Sequence, residues 1–67
     1  MDLRQIRYFV AACEEGSLSA AAMRLHCTPS GVSQQMSGLE ARLGTSLLER
    51  TRRGVTPTAA GWRFYNR

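Results

Sequence analysis

Sixty-seven residues, 43% of them hydrophobic and 21% charged, limit the chain to one small globular domain. No apolar run approaches the roughly 18 residues needed to span a bilayer, and Met1-Asp2-Leu3-Arg4 lacks the apolar stretch of a secretory signal. These features predict a soluble, cytoplasmic chain with no membrane partner. The formal net charge is +4 and every basic residue is an arginine. Arg4, Arg7, Arg24 and Arg42 are outnumbered by Asp2, Glu14, Glu15, Glu40 and Glu49, whereas Arg50, Arg52, Arg53, Arg63 and Arg67 have no acid among them. Such asymmetry suggests that the C-terminal end meets a polyanion; the plainer reading is a solvated loop and tail.

In chain order, Leu3, Ile6, Phe9 with Val10, and Cys13 recur at helical spacing and predict an amphipathic helix over about 3–15, ended by Gly16. Ser17 caps a short second helix whose Leu18, Ala21, Ala22 and Leu25 share a face, and its alanines let another helix cross closely. Thr28 caps a third helix, with Pro29 at the first position, where a missing N–H costs nothing. Val32, Met36, Leu39 and Leu43 form its buried stripe. Ser30, Gln34, Ser37 and Ala41 point the other way, with Ser33 and Gly38 on the flanks. Gly44 closes this helix. "SLLER", the turn "TRRG" and "VT" read as a hairpin with Gly54 at positive φ, and Pro57 is expected to interrupt strand pairing. Thr58 then caps a fourth helix running to Arg67. Trp62, Phe64 and Tyr65 cannot share one side of it, so one face packs on the domain and the other is left for a partner.

Enzyme chemistry finds no support. The sole histidine, His26, has no partner for acid–base work, and no phosphate loop or catalytic carboxylate pair appears. No ligand pair at metal-like spacing completes His26 and Cys27, so His26 reads as a turn-surface residue and no metal or cofactor is expected. Cys13 and Cys27 read as reduced structural thiols.

A short helix, the turn His26-Cys27-Thr28 and a longer helix make a helix-turn-helix, whose second helix can enter a major groove. The basic hairpin behind it is a wing. The expected class is therefore mainly α: a winged helix-turn-helix with a three-helix core, a short β-hairpin wing and the start of a fourth helix. The pairing explains why the third helix gives up intrinsic stability to Gly and Ser. Small side chains let it sit deep, neutral ones such as Gln match base edges, and charge for the phosphates comes from its N-terminus and from Arg50, Arg52 and Arg53. A winged-helix protein-interaction module without DNA binding is the alternative, but it would need an apolar exposed face on the third helix.

The chain resembles the N-terminal DNA-binding domain of LysR-type transcriptional regulators along essentially its whole length, most specifically in "LRQIRYF", "GSLSAAAMRLH", "SGVSQQMSGLEARLG" and "LLERTRRGVTPTAAG". The resemblance implies a winged helix-turn-helix domain over 1–57, followed at 58–67 by the start of a linker and dimerisation helix. It implies sequence-specific binding of double-stranded DNA at an inverted-repeat operator for bacterial transcription regulation. The recognition helix, about 29–43, would lie in the major groove, and the wing, about 50–54, at the minor groove or backbone. It further implies a homodimer or homotetramer through the linker helix, and a small-molecule inducer acting only through an effector-binding domain absent from these residues.

The family usually opens the recognition helix with Ser-Gln-Pro. Here the triplet is Thr28-Pro29-Ser30, so base reading is expected to shift to Ser30, Ser33 and Gln34, and Gln34 stands where the family often has Arg. Ser37 shares their face. Thr28 is first a cap and second a phosphate contact. Arg53, beside Gly54, is the minor-groove candidate, and Arg52 is expected on phosphate. Arg4 and Arg7 are candidates for the backbone, and Arg24 and Arg42 for surface ion pairs.

Overall fold

A computed structural model describes residues 3–66. The chain order is α1 (Leu3–Glu15), α2 (Leu18–Leu25), α3 (Pro29–Leu43), β1 (Leu48–Thr51), β2 (Gly54–Pro57) and α4 (Ala59–Tyr65). Each helix after the first begins as its sequence dictates. The hydroxyl oxygens of Ser17, Thr28 and Thr58 accept the amide N–H of Ala20, Gly31 and Gly61, each at 3.0 Å, satisfying donors that a helix start would otherwise leave orphaned. The end of α2 is less conventional. His26 takes the left-handed conformation (φ 58°), letting the N–H of Cys27 reach back to the Ala22 carbonyl at 2.9 Å and turning the chain sharply into α3.

The core lies where α1, α2 and α3 cross, and Phe9, Val32, Leu39 and Leu47 are its largest fully buried side chains. Ala11, Ala12, Ala21 and Ala22 are buried beside them, so the helices approach closely. Ala11 lies off the predicted stripe because α1 packs against both α2 and α3 and buries a wider arc than one stripe. Two expected core residues lie outside. Leu3 is 76% exposed and Leu43 is 38% exposed. Each is the terminal residue of its helix, past the stretch that faces a neighbour.

The hairpin pairs antiparallel, Leu48 with Pro57 through Thr51 with Gly54, so Ser46 and Leu47 precede the ladder. Pro57 does not interrupt pairing as expected; it is the last residue of β2. Two residues earlier, the N–H of Val55 points away from β1 to the Gly16 carbonyl at 2.9 Å. By strand alternation Pro57 lies on the same side, where the ladder needs no donor. That Val55 bond docks the wing on the α1–α2 turn. It requires Gly54, whose φ is 137° and where a Cβ would overlap the Gly16 carbonyl oxygen.

Downstream, the N–H of Thr58 donates to the Leu47 carbonyl at 3.0 Å and its hydroxyl to the Ser46 carbonyl at 2.7 Å. Gly61 sits against the same Leu47 carbonyl, where no Cβ would fit. Phe64 and Tyr65 meet the Phe9 ring edge-on at 5.5 and 6.4 Å, while Trp62 stays 52% exposed. The two faces expected of α4 are thus both present. The helix ends at Tyr65, and Arg67 lies outside the described residues.

Candidate nucleic-acid interface

The polar face of α3 forms as its spacing requires. Ser30, Gln34, Ser37 and Ala41 are exposed, and Val32, Met36 and Leu39 are buried opposite. Thr28 and Pro29 open this face, both exposed, with Pro29 contributing no N–H and the Thr28 hydroxyl occupied as the cap. The face is free of charge along its own helix until Glu40.

The hairpin lies beside this face. Arg50, on β1, donates from Nη2 to the Ser33 hydroxyl oxygen at 2.9 Å. Ser33 is half-buried, whereas its neighbour Gln34 is exposed. Pro29, Ser30, Ser33, Gln34, Arg50 and, from α2, Leu18 line an open cleft of about 410 Å³ between helix and wing. Arg52 and Arg53 form the two-residue hairpin tip. There the Thr51 hydroxyl accepts the Arg53 N–H at 3.2 Å and donates to the Gly54 carbonyl at 3.3 Å, fixing the turn. Arg4 is exposed on a separate element, the first turn of α1. The structure therefore gathers Pro29, Ser30, Ser33, Gln34 and Arg50 around one cleft, with Thr28 as the cap just before it, and carries Arg52 and Arg53 on the tip beyond it.

Arg50, Arg52 and Arg53 make no ion pair among the described residues. Among the described residues the ion pairs join Arg24 to Glu14 at 2.8 Å and to Glu15 at 3.3 Å. Arg24 thus pairs as expected, while Arg42 makes no ion pair within the described chain: α1 brings its carboxylates to the end of α2, not to the last turn of α3. The hydrogen bond from Arg24, joined by one from the Tyr65 hydroxyl at 3.1 Å, holds the Glu14 carboxyl below the usual carboxylate range. Burial, followed by the nearby Glu14 charge, pushes the Cys13 thiol up to about 11, and both cysteines are free. Among the described residues no cluster of metal-ligating side chains occurs, and no helix is long and apolar enough to cross a membrane.

Sequence reading missed Glu40. Its Oε2 accepts the Leu47 N–H at 2.7 Å and the Leu48 N–H at 3.1 Å, while the nearby Ser46 hydroxyl, 3.4 Å away, lies closer to the Leu48 carbonyl at 3.1 Å. One signal was available: a carboxylate in the last turns of a helix opposes the macrodipole, so its presence there calls for a compensating contact.

Residues 3–62 match the family of bacterial regulatory helix-turn-helix proteins named for lysR. The chain is 52% identical over 64 residues to the HTH-type transcriptional regulator ClcR of Pseudomonas putida, and 50% identical over 64 residues to TcbR of Pseudomonas sp. strain P51. Each alignment covers 96% of this chain and 22% of the relative, so the chain spans about a fifth of their length. Its fold superposes on the DNA-binding domain of CbnR, solved in complex with DNA, with a TM-score of 0.94 at 48% identity, covering 98% of this chain and 76% of that one. The chain belongs to the lysR family of bacterial regulatory helix-turn-helix proteins.

Proposed function

We propose that this chain binds double-stranded DNA sequence-specifically, as the reading module of a bacterial transcription regulator working in the cytoplasm. One observation carries the reading: an uncharged, hydrogen-bonding helix face lines one cleft with the wing's Arg50, whose guanidinium has no carboxylate partner among the described residues. The likeness to the CbnR domain in its DNA complex supports it. In this reading α3 enters the major groove and offers Ser30, Ser33, Gln34 and Ser37 to bases and adjoining backbone, with Thr28 and Pro29 at the helix start. Arg50 and Arg52 meet phosphates, Arg53 inserts into the minor groove, and Arg4 touches the flanking backbone.

The domain division follows the same reading, with a winged helix-turn-helix over 1–57 and, from 58, the beginning of a helix through which two or four copies associate on an inverted repeat. Response to an inducer would belong to a further domain of the whole regulator. No enzymatic step is part of this role, and the relatives are named as transcriptional regulators. Selection of the chain's targets from random duplexes, followed by sequencing, tests the proposal. Enrichment of a short motif in inverted repeat is the expected outcome, and absence of any enrichment refutes sequence-specific binding.

A further inference from the structure

We infer that Glu40 is a positioning residue that sets the wing against α3, so that helix and hairpin tip meet DNA as one rigid unit. The inference rests on the DNA-binding reading above and adds to it the element that fixes its geometry. Along the path from α3 to β1, residues 44–48, Glu40 accepts the backbone N–H groups of Gly44, Thr45, Leu47 and Leu48, while Thr58 donates to the Ser46 and Leu47 carbonyls. The Glu40 carbonyl accepts the N–H of Gly44 at 2.8 Å and of Thr45 at 3.2 Å, closing the helix. Its Oε2 then collects the N–H groups of Leu47 and Leu48. Hydrogen bonds to a charged acceptor are the strong class, which is how a carboxylate is retained where the helix macrodipole disfavours it.

Farther along β1, the Arg50–Ser33 bond makes a second attachment to α3. Ser33 and Glu40 are seven positions apart, two helical turns, and so lie on one stripe of α3 from which both attachments to β1 are made. Arg52 and Arg53 sit at the far end of that four-residue strand. At about 3.3 Å per residue the strand spans roughly 13 Å; the Val55–Gly16 bond holds its tip end against the α1–α2 turn, and Glu40 fixes the other end against α3. A wing released at that end would keep its charge yet lose its set distance from α3.

The test uses the 67-residue chain with Glu40→Ala and Glu40→Gln, the latter keeping one acceptor oxygen. Amide exchange is followed at Leu47 and Leu48, and affinity is measured on the selected motif with AT-rich or GC-rich flanks. We expect faster exchange at both amides in Glu40→Ala and partial rescue in Glu40→Gln. We also expect several-fold loss of the flank preference, with the ranking of bases in the motif unchanged. Arg53→Ala added to Glu40→Ala should then cost the flank preference nothing more, since Glu40 acts through the tip. Equal loss on all flanks, or losses from Glu40→Ala and Arg53→Ala that simply add, would make Glu40 a general fold residue and overturn the inference. If no motif is selected, the DNA reading has failed, and exchange decides the clamp alone: unchanged rates at Leu47 and Leu48 overturn it.

Discussion

Gln34 is the residue on which base reading turns. It stands one turn into α3, uncharged and exposed, while Ser33 beside it already accepts a hydrogen bond from Arg50. A carboxamide can pair bidentately with adenine, so Gln34→Ala should cost about 1–3 kcal/mol at one base pair and little on non-specific DNA. Because no charge is removed, the dependence of affinity on salt should barely change. Gln34→Arg should move preference at that position towards guanine and raise background binding. Affinities against all four base pairs at each half-site position check this; identical base rankings for the three proteins would show that Gln34 reads nothing. Gly54 is decisive in another way. A side chain there meets the Gly16 carbonyl and a positive φ together. Gly54→Ala should therefore lower stability by at least about 1–3 kcal/mol, the order of one strained backbone residue, and should strip the Val55 amide of its exchange protection. A denaturation midpoint unchanged from wild type would show that the wing does not need this docking.

At the scale of elements, the helices were legible because their signals are local. Caps at Ser17, Thr28 and Thr58 and the 4, 3 spacing of Val32, Met36 and Leu39 each specify structure within one or two turns. What stayed hidden depends on distant partners. Neither the docking of Val55 on Gly16 nor the use of the Glu40 carboxylate by Leu47 and Leu48 has any sequence periodicity, and a left-handed His26 is not the Gly or Asn usual at that position. The exposure of Ser30, Gln34, Ser37 and Ala41 was legible, whereas the Arg50–Ser33 bond was not. A similar long-range tie joins α4 to the first two helices, where Glu14 accepts from both Arg24 and the Tyr65 hydroxyl. The Glu14 pKa is lowered in the folded chain, chiefly by Arg24. Its contribution is accordingly present above the unfolded carboxylate value and is lost as pH falls through the lower folded value. Glu14→Gln should flatten that acid limb of the stability profile, and Tyr65→Phe should flatten part of it. Glu14 is solvent-exposed, so the change should be small. Thermal melts from neutral pH down to pH 3 measure it, and coincident profiles for wild type and Glu14→Gln would remove the tie from the account.

At the scale of the whole molecule, the question is whether two copies of these 67 residues hold together without DNA. The inner face of α4 is already used, with Gly61 on Leu47 and Phe64 and Tyr65 on Phe9. Trp62 remains on the outer side of a helix only seven residues long. Stable interfaces remove about 1,200–2,000 Å² from water, and two turns of helix around one indole fall well short of that. Helices this short are also marginal unless packing supports them. The chain should therefore be monomeric at micromolar concentration, and two copies should occupy the halves of an inverted repeat almost independently, without the gain that linked binding provides. Trp62→Ala should leave affinity for a single half-site unchanged while removing whatever weak self-association exists. Sedimentation equilibrium and titration of single and paired half-sites test both statements together. A tight dimer at nanomolar concentration that survives Trp62→Ala would locate the interface on another surface, with the exposed Leu3 end of α1 the first place to look.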